Sequence, residues 1–411
     1  MALNIVWTAF FLIAFIIAFI KFLFVPGNTD IFKILADGIF DSAKTSVTEV
    51  ALPLAGTMIF FLGLMNIAEK AGGIRWLARM LNPLMKRLFP EVPEKHPAMG
   101  EMVMNFSANM LGLDNAATPF GLKAMNSLQS INPTKETASN AQIMFLVLQT
   151  SGLTLIPLSI ITYRIAAGST DATSVFIPCV AATVCTTLAS IIIVSLKQRI
   201  KWDLVLVLWL IGLSVAVAAL LFFVGTLGVA QKSVFTSVAG NLILLLLIVA
   251  ILIGAIVKKV SMFDAFIEGA KEGFTTVIKI MPYLVGMLVA IRVFRDSGAL
   301  GYITDGIGYV IKSIGLNTDF VPSLPVAIMK PFSGSGARGL MIDSMKTYGP
   351  DSFIGKLSCT FQSASDTTFY ILALYFGSVG IKKVRYAVWV GLAADIIGVV
   401  CAIIIGYVFF R

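Results

Sequence analysis

Nine runs of roughly twenty mostly apolar residues, near 4–24, 50–69, 140–162, 172–195, 203–225, 237–258, 281–295, 352–378 and 385–407, recur along the chain. About twenty apolar residues are what an α-helix needs to cross the ~30 Å hydrocarbon layer of a bilayer. The pattern predicts an all-α polytopic membrane protein with about nine transmembrane helices, and makes the lipid bilayer its first partner. A soluble fold fails on charge, because 13% charged residues against 58% hydrophobic ones cannot clothe a 411-residue globule. The first run lacks a basic leader and a small-residue cleavage site, so it reads as a retained helix.

Two further apolar regions, 98–130 and 322–347, are interrupted by Gly, Pro, Asn, Asp and Ser. Each is expected to form a pair of short helices that turns back within the membrane, a re-entrant hairpin. An unpaired amide in hydrocarbon costs several kcal/mol, so such breaks must be shielded by protein or line a cavity. The amphipathic stretches 31–44, 72–89, 262–279 and 298–313 suit helices lying at the membrane interface.

Net charge is +9, but Lys and Arg sit beside apolar runs and form no basic domain, so no nucleic-acid partner is expected. Short basic loops at Lys197/Arg199/Lys201, Lys258/Lys259 and Lys382/Lys383/Arg385, with Arg75, Arg79, Lys86 and Arg87, mark the cytoplasmic side. That places the N-terminus inside and, after nine crossings, the C-terminus outside.

An internal repeat runs through the chain. PLAGTMIFFLGLMNIAEKAGGI from Pro53 resembles PYLVGMLVAIRVFRDSGALGYI from Pro282, GLKAMNSLQSINP from Gly121 resembles GLMIDSMKTYGP from Gly339, and LQTSGLTLIP from Leu148 resembles FQSASDTTFY from Phe361. The paired spans run in opposite directions, so the repeats are expected to be inverted, with halves at 1–200 and 261–411 and a linking transmembrane pair at 201–260. Inverted repeats around discontinuous helices characterise many secondary transporters, whose solute sits near the midplane between repeats.

The densest polar run within an apolar span is Gln362, Ser363, Ser365, Asp366, Thr367 and Thr368, matched in the repeat by Gln149, Thr150, Ser151, Gly152 and Thr154. An ionised Asp at the bilayer centre costs roughly 3 kcal/mol or more, so Asp366 needs a partner, a cation or a proton. A packing network of Ser and Thr is the structural alternative. In the first hairpin Asn105, Asn109, Asp114, Asn115 and Thr118 flank Gly112 and Pro119, and amides can ligate a polar solute without demanding charge; helix capping would also explain them. The second offers Lys330, Pro331, Ser333, Gly334, Ser335, Gly336, Arg338 and Asp343, where a Ser-Gly turn before a helix could receive an anionic group. Snorkelling of the basic residues, or pairing of Arg338 with Asp343 or Asp366, is the alternative there. Asp114, Asp343 and Asp366 are the candidates for coupling to an ion or proton.

His96 is the sole histidine, so no Ser/His/Asp triad or histidine metal centre can be built. Cys179, Cys185, Cys359 and Cys401 fall in apolar segments without CxxC spacing, so neither disulfide nor metal is expected. No Walker-type loop is present either. The expectation is a non-enzyme without a cofactor beyond a coupling cation or proton.

The N-terminal half, with FFLGLMNIAEKAGG, LFPEVPEKHPAMGE and GLDNAATPFGLKAM, resembles the spore maturation A family. The C-terminal half, with IMPYLVGMLVAIRVFRDSGAL, KPFSGSGARGLM and the segment from Gly349 to Arg385, resembles the spore maturation B family, as though the two were fused. That resemblance implies two Gate (nucleoside recognition) domains and a bacterial cytoplasmic membrane. It carries the family's motifs onto Asn105, Asn109, Asn115, Thr118, Pro119, Ser333, Gly334, Gly336, Gln362, Asp366, Thr367 and Thr368, with Asp114 standing where the family usually has Gly. The expected function is secondary transport of a small polar solute, such as a nucleoside, amino acid or organic acid, by a carrier able to form a homo-oligomer. A non-transporting membrane scaffold or regulator is the alternative.

Overall fold

The computed structural model describes residues 2–93, 95–112 and 114–411, the side chains of 2–6 and 114–116 excepted. Among these residues the secondary structure is helical apart from a single bridge between Thr137 and Lys383. In chain order the α-helices are α1 (Ala2–Phe24), α2 (Ile31–Thr45), α3 (Leu52–Lys70), α4 (Gly73–Leu88), α5 (Pro97–Met110) and α6 (Asp114–Ile131). Next come α7 (Asn140–Ser151), α8 (Leu158–Ala166), α9 (Phe176–Gln198), α10 (Leu204–Thr226), α11 (Val229–Val257) and α12 (Met262–Asp296). The chain closes with α13 (Ala299–Ser313), α14 (Leu324–Met329), α15 (Gly334–Tyr348), α16 (Phe353–Ala364), α17 (Thr368–Ser378) and α18 (Ala387–Phe410).

Seven helical stretches among the described residues are long and apolar enough to cross a membrane: α1, the α2–α3 rod, α9, α10, α11, α12 and α18. The crossings expected at 140–162 and 352–378 are each split into two short helices, α7/α8 and α16/α17. Both hairpins form where expected, as α5/α6 and as α14/α15 behind a 3-10 turn at Val321–Ser323.

Two of the expected interfacial helices differ. The stretch 31–44 continues through a π-helical segment, Ser46–Ala51, into α3, and 262–279 is the first half of the 35-residue α12. Their apolar and small-residue faces, Ile31, Leu35 and Gly38 on one and Ala265, Gly269, Gly273 and Val277 on the other, meet protein because α12 packs along α2 and α3, while Lys33, Asp37, Asp264, Glu268 and Lys271 stay exposed. The seam is cut by small residues: a Cβ on Gly273 would stand 2.8 Å from the carbonyl oxygen of Met58, and Asn66 Nδ2 donates to the Ala265 carbonyl at 2.7 Å. The other two form separate helices, and α4 buries one face through Ile74, Leu77, Leu81, Leu84, Met85 and Leu88.

α9 and α18 form the central pair, against which both broken helices pack. A Cβ on Gly406 of α18 would reach 2.8 Å from Leu357 of α16. α1, α10 and α11 leave most of their apolar side chains exposed, as lipid-facing helices do.

Candidate functional site

The site begins with two interruptions in helices. α7 ends at Gly152, whose φ of 61° is left-handed and stops the helix. Residues 153–157 run non-helically before α8. α16 ends at the extended Ser365, and α17 starts at Thr368. The two gaps face each other: the Asp366 amide donates to the Thr150 carbonyl at 2.8 Å, and a Cβ on Gly152 would meet Asp366 N at 3.0 Å. Unwound backbone of one half thus satisfies a helix-end carbonyl of the other.

Each hairpin tip docks on its own half's break. The Leu155 amide donates to the Met110 carbonyl at 2.8 Å, and the Phe369 amide donates to the Pro331 carbonyl at 3.0 Å. In the first half the tip also reads the break by side chain, since Asn109 Nδ2 donates to Gln149 Oε1 at 2.8 Å. In the second half the arm Leu324–Met329 is wholly apolar, and the buried Gln362 Oε1 has no donor among the described residues. The repeat-related glutamines therefore differ in bonding: Gln149 Oε1 is occupied by Asn109, whereas Gln362 Oε1 is buried without a donor among the described residues.

Most residues expected at the site converge here. Asn105 is fully buried, donates to the Ala117 carbonyl at 2.7 Å and finds no partner for its Oδ1 among the described residues. Thr118 is exposed beside it. Thr150 and Ser151 return their hydroxyls to the carbonyls of Val147 and Leu148, and Ser151 also meets Thr187 of α9 at 3.0 Å. Ser333 caps α15 by accepting from the Gly336 amide at 3.0 Å, and Gly334 lies so close to the second break that a Cβ would stand 2.7 Å from Thr367 Oγ1. Ser363 is half-buried, and Thr367 and Thr368 are buried. Asp366 is exposed, its Oδ1 accepting from the Thr367 amide at 2.7 Å. A carboxylate at membrane depth cannot face lipid, so its open side requires a water-accessible gap. The side chains of Asp114 and Asn115, at the start of α6, lie outside the described residues.

Two expected members sit elsewhere. Asp343 is nine residues into α15, about 13 Å along the helix from its start, where it pairs with Arg295 of α12. Arg338 pairs with neither Asp343 nor Asp366; its guanidinium lies over the Tyr163 ring of α8 at 5.4 Å.

Three residues escaped the sequence reading. Asp395 of α18 is 6% exposed and accepts from Thr368 Oγ1 at 2.7 Å; an acid alone in a 24-residue apolar helix was the signal. Tyr375 of α17 approaches Gly121 and Asn105 of the first hairpin arms, a cross-half contact no local pattern announces. Arg164, fully buried at the end of α8, donates to Pro350 O at 2.5 Å and pairs with Asp351 at 2.7 Å, in the loop before α16. Burial pushes the Asp351 carboxyl up, but hydrogen bonds from Ser169 and Thr170 together with Arg164 outweigh it and hold it below its ordinary value.

The loop before α7 is gripped in the same way. The amides of Lys382 and Lys383 both donate to the Glu136 carbonyl at 2.9 Å, and the Ala138 amide donates to Lys383 O at 3.0 Å. Each half thus holds the loop that feeds the other half's broken helix.

Residues 51–170 and 277–382 both match the family described as Gate, nucleoside recognition. Each matched stretch contains one hairpin and one broken helix. Spore maturation protein B of Bacillus subtilis (strain 168) is 49% identical over 160 residues, covering 39% of this chain and 88% of that protein. Spore maturation protein A of the same organism is 37% identical over 190 residues, covering 46% of this chain and 92% of that protein.

Proposed function

Because the chain belongs to the Gate, nucleoside recognition, family, we propose that it is a secondary transporter of a small polar solute, bound where the two broken helices face each other. The observation that carries this reading is the Asp366 to Thr150 main-chain bond between the unwound segment of one broken helix and the last turn of the other, surrounded by amides and hydroxyls. Irregular backbone at that depth is stable only in protein or beside water. Asn105 Oδ1 and Gln362 Oε1, buried without a donor among the described residues, supply acceptors that a solute entering between the halves could satisfy, and Asp366 supplies charge. The two Gate halves are inverted copies, and alternating access follows from rocking hairpins and broken helices against the α3–α12 pair. Nucleosides, amino acids and organic acids all fit this chemistry. The carrier works without covalent catalysis, in a bacterial cytoplasmic membrane with its N-terminus inside, and its exposed α10 and α11 meet lipid or a second copy.

The test is flux into liposomes containing the full chain, for labelled members of those three solute classes. Asp366→Asn is expected to abolish flux while membrane insertion persists; undiminished flux would remove Asp366 from the site. A second reading, a membrane scaffold or regulator, draws on the relatives' names, which speak of spore maturation and of no solute. Alkylation of cysteines placed at 105 and 366 separates the two, since only a carrier needs water to reach both positions.

A further inference from the structure

A cavity of about 170 Å³ lies between α3, α8 and α12 and runs to the tip of the first hairpin and the break behind α7. That is slightly more than the ~150 Å³ at which a protein cavity admits a benzene ring. Exposure falls along it: Glu69, Ser159 and Glu272 are exposed, Asn66, Asn109 and Thr154 are half-buried, and Phe61, Ile156 and Thr162 are buried. The exposed end is the mouth. The inner end is walled by Asn109, which holds Gln149, and by Thr154, which holds the Gly152 carbonyl.

The walls accept hydrogen bonds and have few protons to give. Thr154, Thr162 and Thr276 spend their hydroxyl protons on the carbonyls of Gly152, Leu158 and Glu272, at 2.9, 2.7 and 2.8 Å. Each keeps only lone pairs for anything that enters. Asn66 Nδ2 is likewise engaged with the Ala265 carbonyl, at 2.7 Å. The mouth adds the carboxylates of Glu69 and Glu272, and no lysine or arginine stands among the described residues that line the cavity. Lys70, next in sequence to Glu69, is paired with Glu268. Lone pairs and negative charge complement a solute rich in N–H donors, an ammonium best of all, and repel a carboxylate, which brings neither a donor nor a compatible charge.

The second half does not repeat this chemistry. Gly72 and Gly298, left-handed at φ 87° and 89°, follow the repeat-related ends of α3 and α12, so Glu69 and Arg295 each stand three residues before the turn. Arg295 pairs with Asp343 of α15 and, at 3.6 Å, with Asp296. Arg292 meets Asp296 at 2.5 Å and Asp41 at 3.4 Å, and Lys346 meets Glu49 at 3.6 Å. The groove at this place thus has its charges committed to one another, tying α15 to α12 and to the α2–α3 rod. In the first hairpin the places of Asp343 and Lys346 are taken by Met125 and Leu128, both fully buried, so that arm lacks the two residues that make the tie.

We propose that this cavity is the solute's entrance to the site and that Glu69 at its mouth selects cationic and neutral polar solutes over organic acids. The inference deepens the transporter reading by narrowing its substrate class, and rests on that reading; its first test requires no transport.

The full chain, in an uncharged detergent, carries Thr162→Cys on the buried wall, and its modification is timed with aminoethyl and sulfonatoethyl methanethiosulfonate, a cation and an anion of similar size. Rates are corrected for the parent chain's own cysteines and compared with the ratio of the same two reagents on a free thiol in solution. The expected preference for the cation exceeds the solution ratio by about tenfold, within what a focused field supplies, and falls severalfold in Glu69→Gln. A preference no greater than in solution, or one that Glu69→Gln leaves unchanged, would overturn the proposal, as would a cysteine that neither reagent reaches. Should Thr162→Cys fail to fold, Thr276→Cys, half-buried on the α12 wall, carries the same test. Charge-selective labelling without flux of any solute would fault the transporter reading alone, whereas flux of succinate as fast as that of ethanolamine, beside an unselective cavity, would overturn this inference and leave the carrier standing.

Discussion

The amide of Asp366 and the carbonyl of Thr150 are 2.8 Å apart, although the two residues belong to different halves of the chain. One is the unwound residue after α16, the other lies in the last turn of α7. Neither break can be reshaped without disturbing its opposite number, so the halves form one site.

Gly152 is where that coupling is most vulnerable. Its left-handed φ of 61° disfavours any residue with a Cβ, and that Cβ would press on Asp366 N and Ser365 C at 3.0 and 3.2 Å. Gly152→Ala should destabilise the protein by about 1–3 kcal/mol and depress flux. A thermal melt in detergent beside the liposome assay checks both.

Asn109 holds the first hairpin to its break. Asn109→Leu leaves Gln149 Oε1 without its donor in a buried setting, at a cost of about 1–3 kcal/mol. Proteolysis at the first hairpin tip should accelerate in this variant and remain unchanged in one at Ala327 of the second arm, which makes no comparable bond. Equal protection in both variants would contradict the assignment.

Arg164 and Asp351 make stability depend on pH. The folded Asp351 carboxyl is held below its ordinary value, near 3.9 in an unfolded chain. Its contribution is therefore full above that value and is lost as pH falls through the lowered one. Asp351→Asn leaves the fully buried guanidinium without a counter-charge. It should cost on the order of 3 kcal/mol, at the low end for a buried pair because Asp351 is 32% exposed. Unfolding midpoints measured from neutral to acid pH should converge for the wild type and the variant at low pH.

The reciprocal grip of the two feeding loops predicts that covalent continuity is dispensable. A chain cut between Leu227 and Gly228, in the turn joining α10 to α11, should yield two fragments that co-purify when expressed together. Disrupting the Arg164 clamp with Arg164→Met should weaken their association, and fragments that never co-purify would show that the linking pair does more than connect.

Residue pattern alone indicated the membrane, the helical class, both hairpins and the polar stretches at 149–154 and 362–368, because lipid imposes length and apolarity locally and a polar residue at depth stands out against its neighbours. Asp395 was legible by that same rule. Continuity of α2 with α3 was not, since an amphipathic pattern does not say whether the membrane interface or another helix will take its apolar face; α12 decided that. Nor could sequence assign partners: that Asp343 meets Arg295, that Arg338 lies over Tyr163 and that Gln149 is occupied while Gln362 Oε1 has no donor among the described residues all depend on which helices the packing of α9 against α18 brings together. Hydropathy and helix breaking act over a few residues and are written in the chain, whereas the pairing of charges, amides and unwound backbone acts across the 216 positions separating Thr150 from Asp366 and exists only once the two halves have closed on each other.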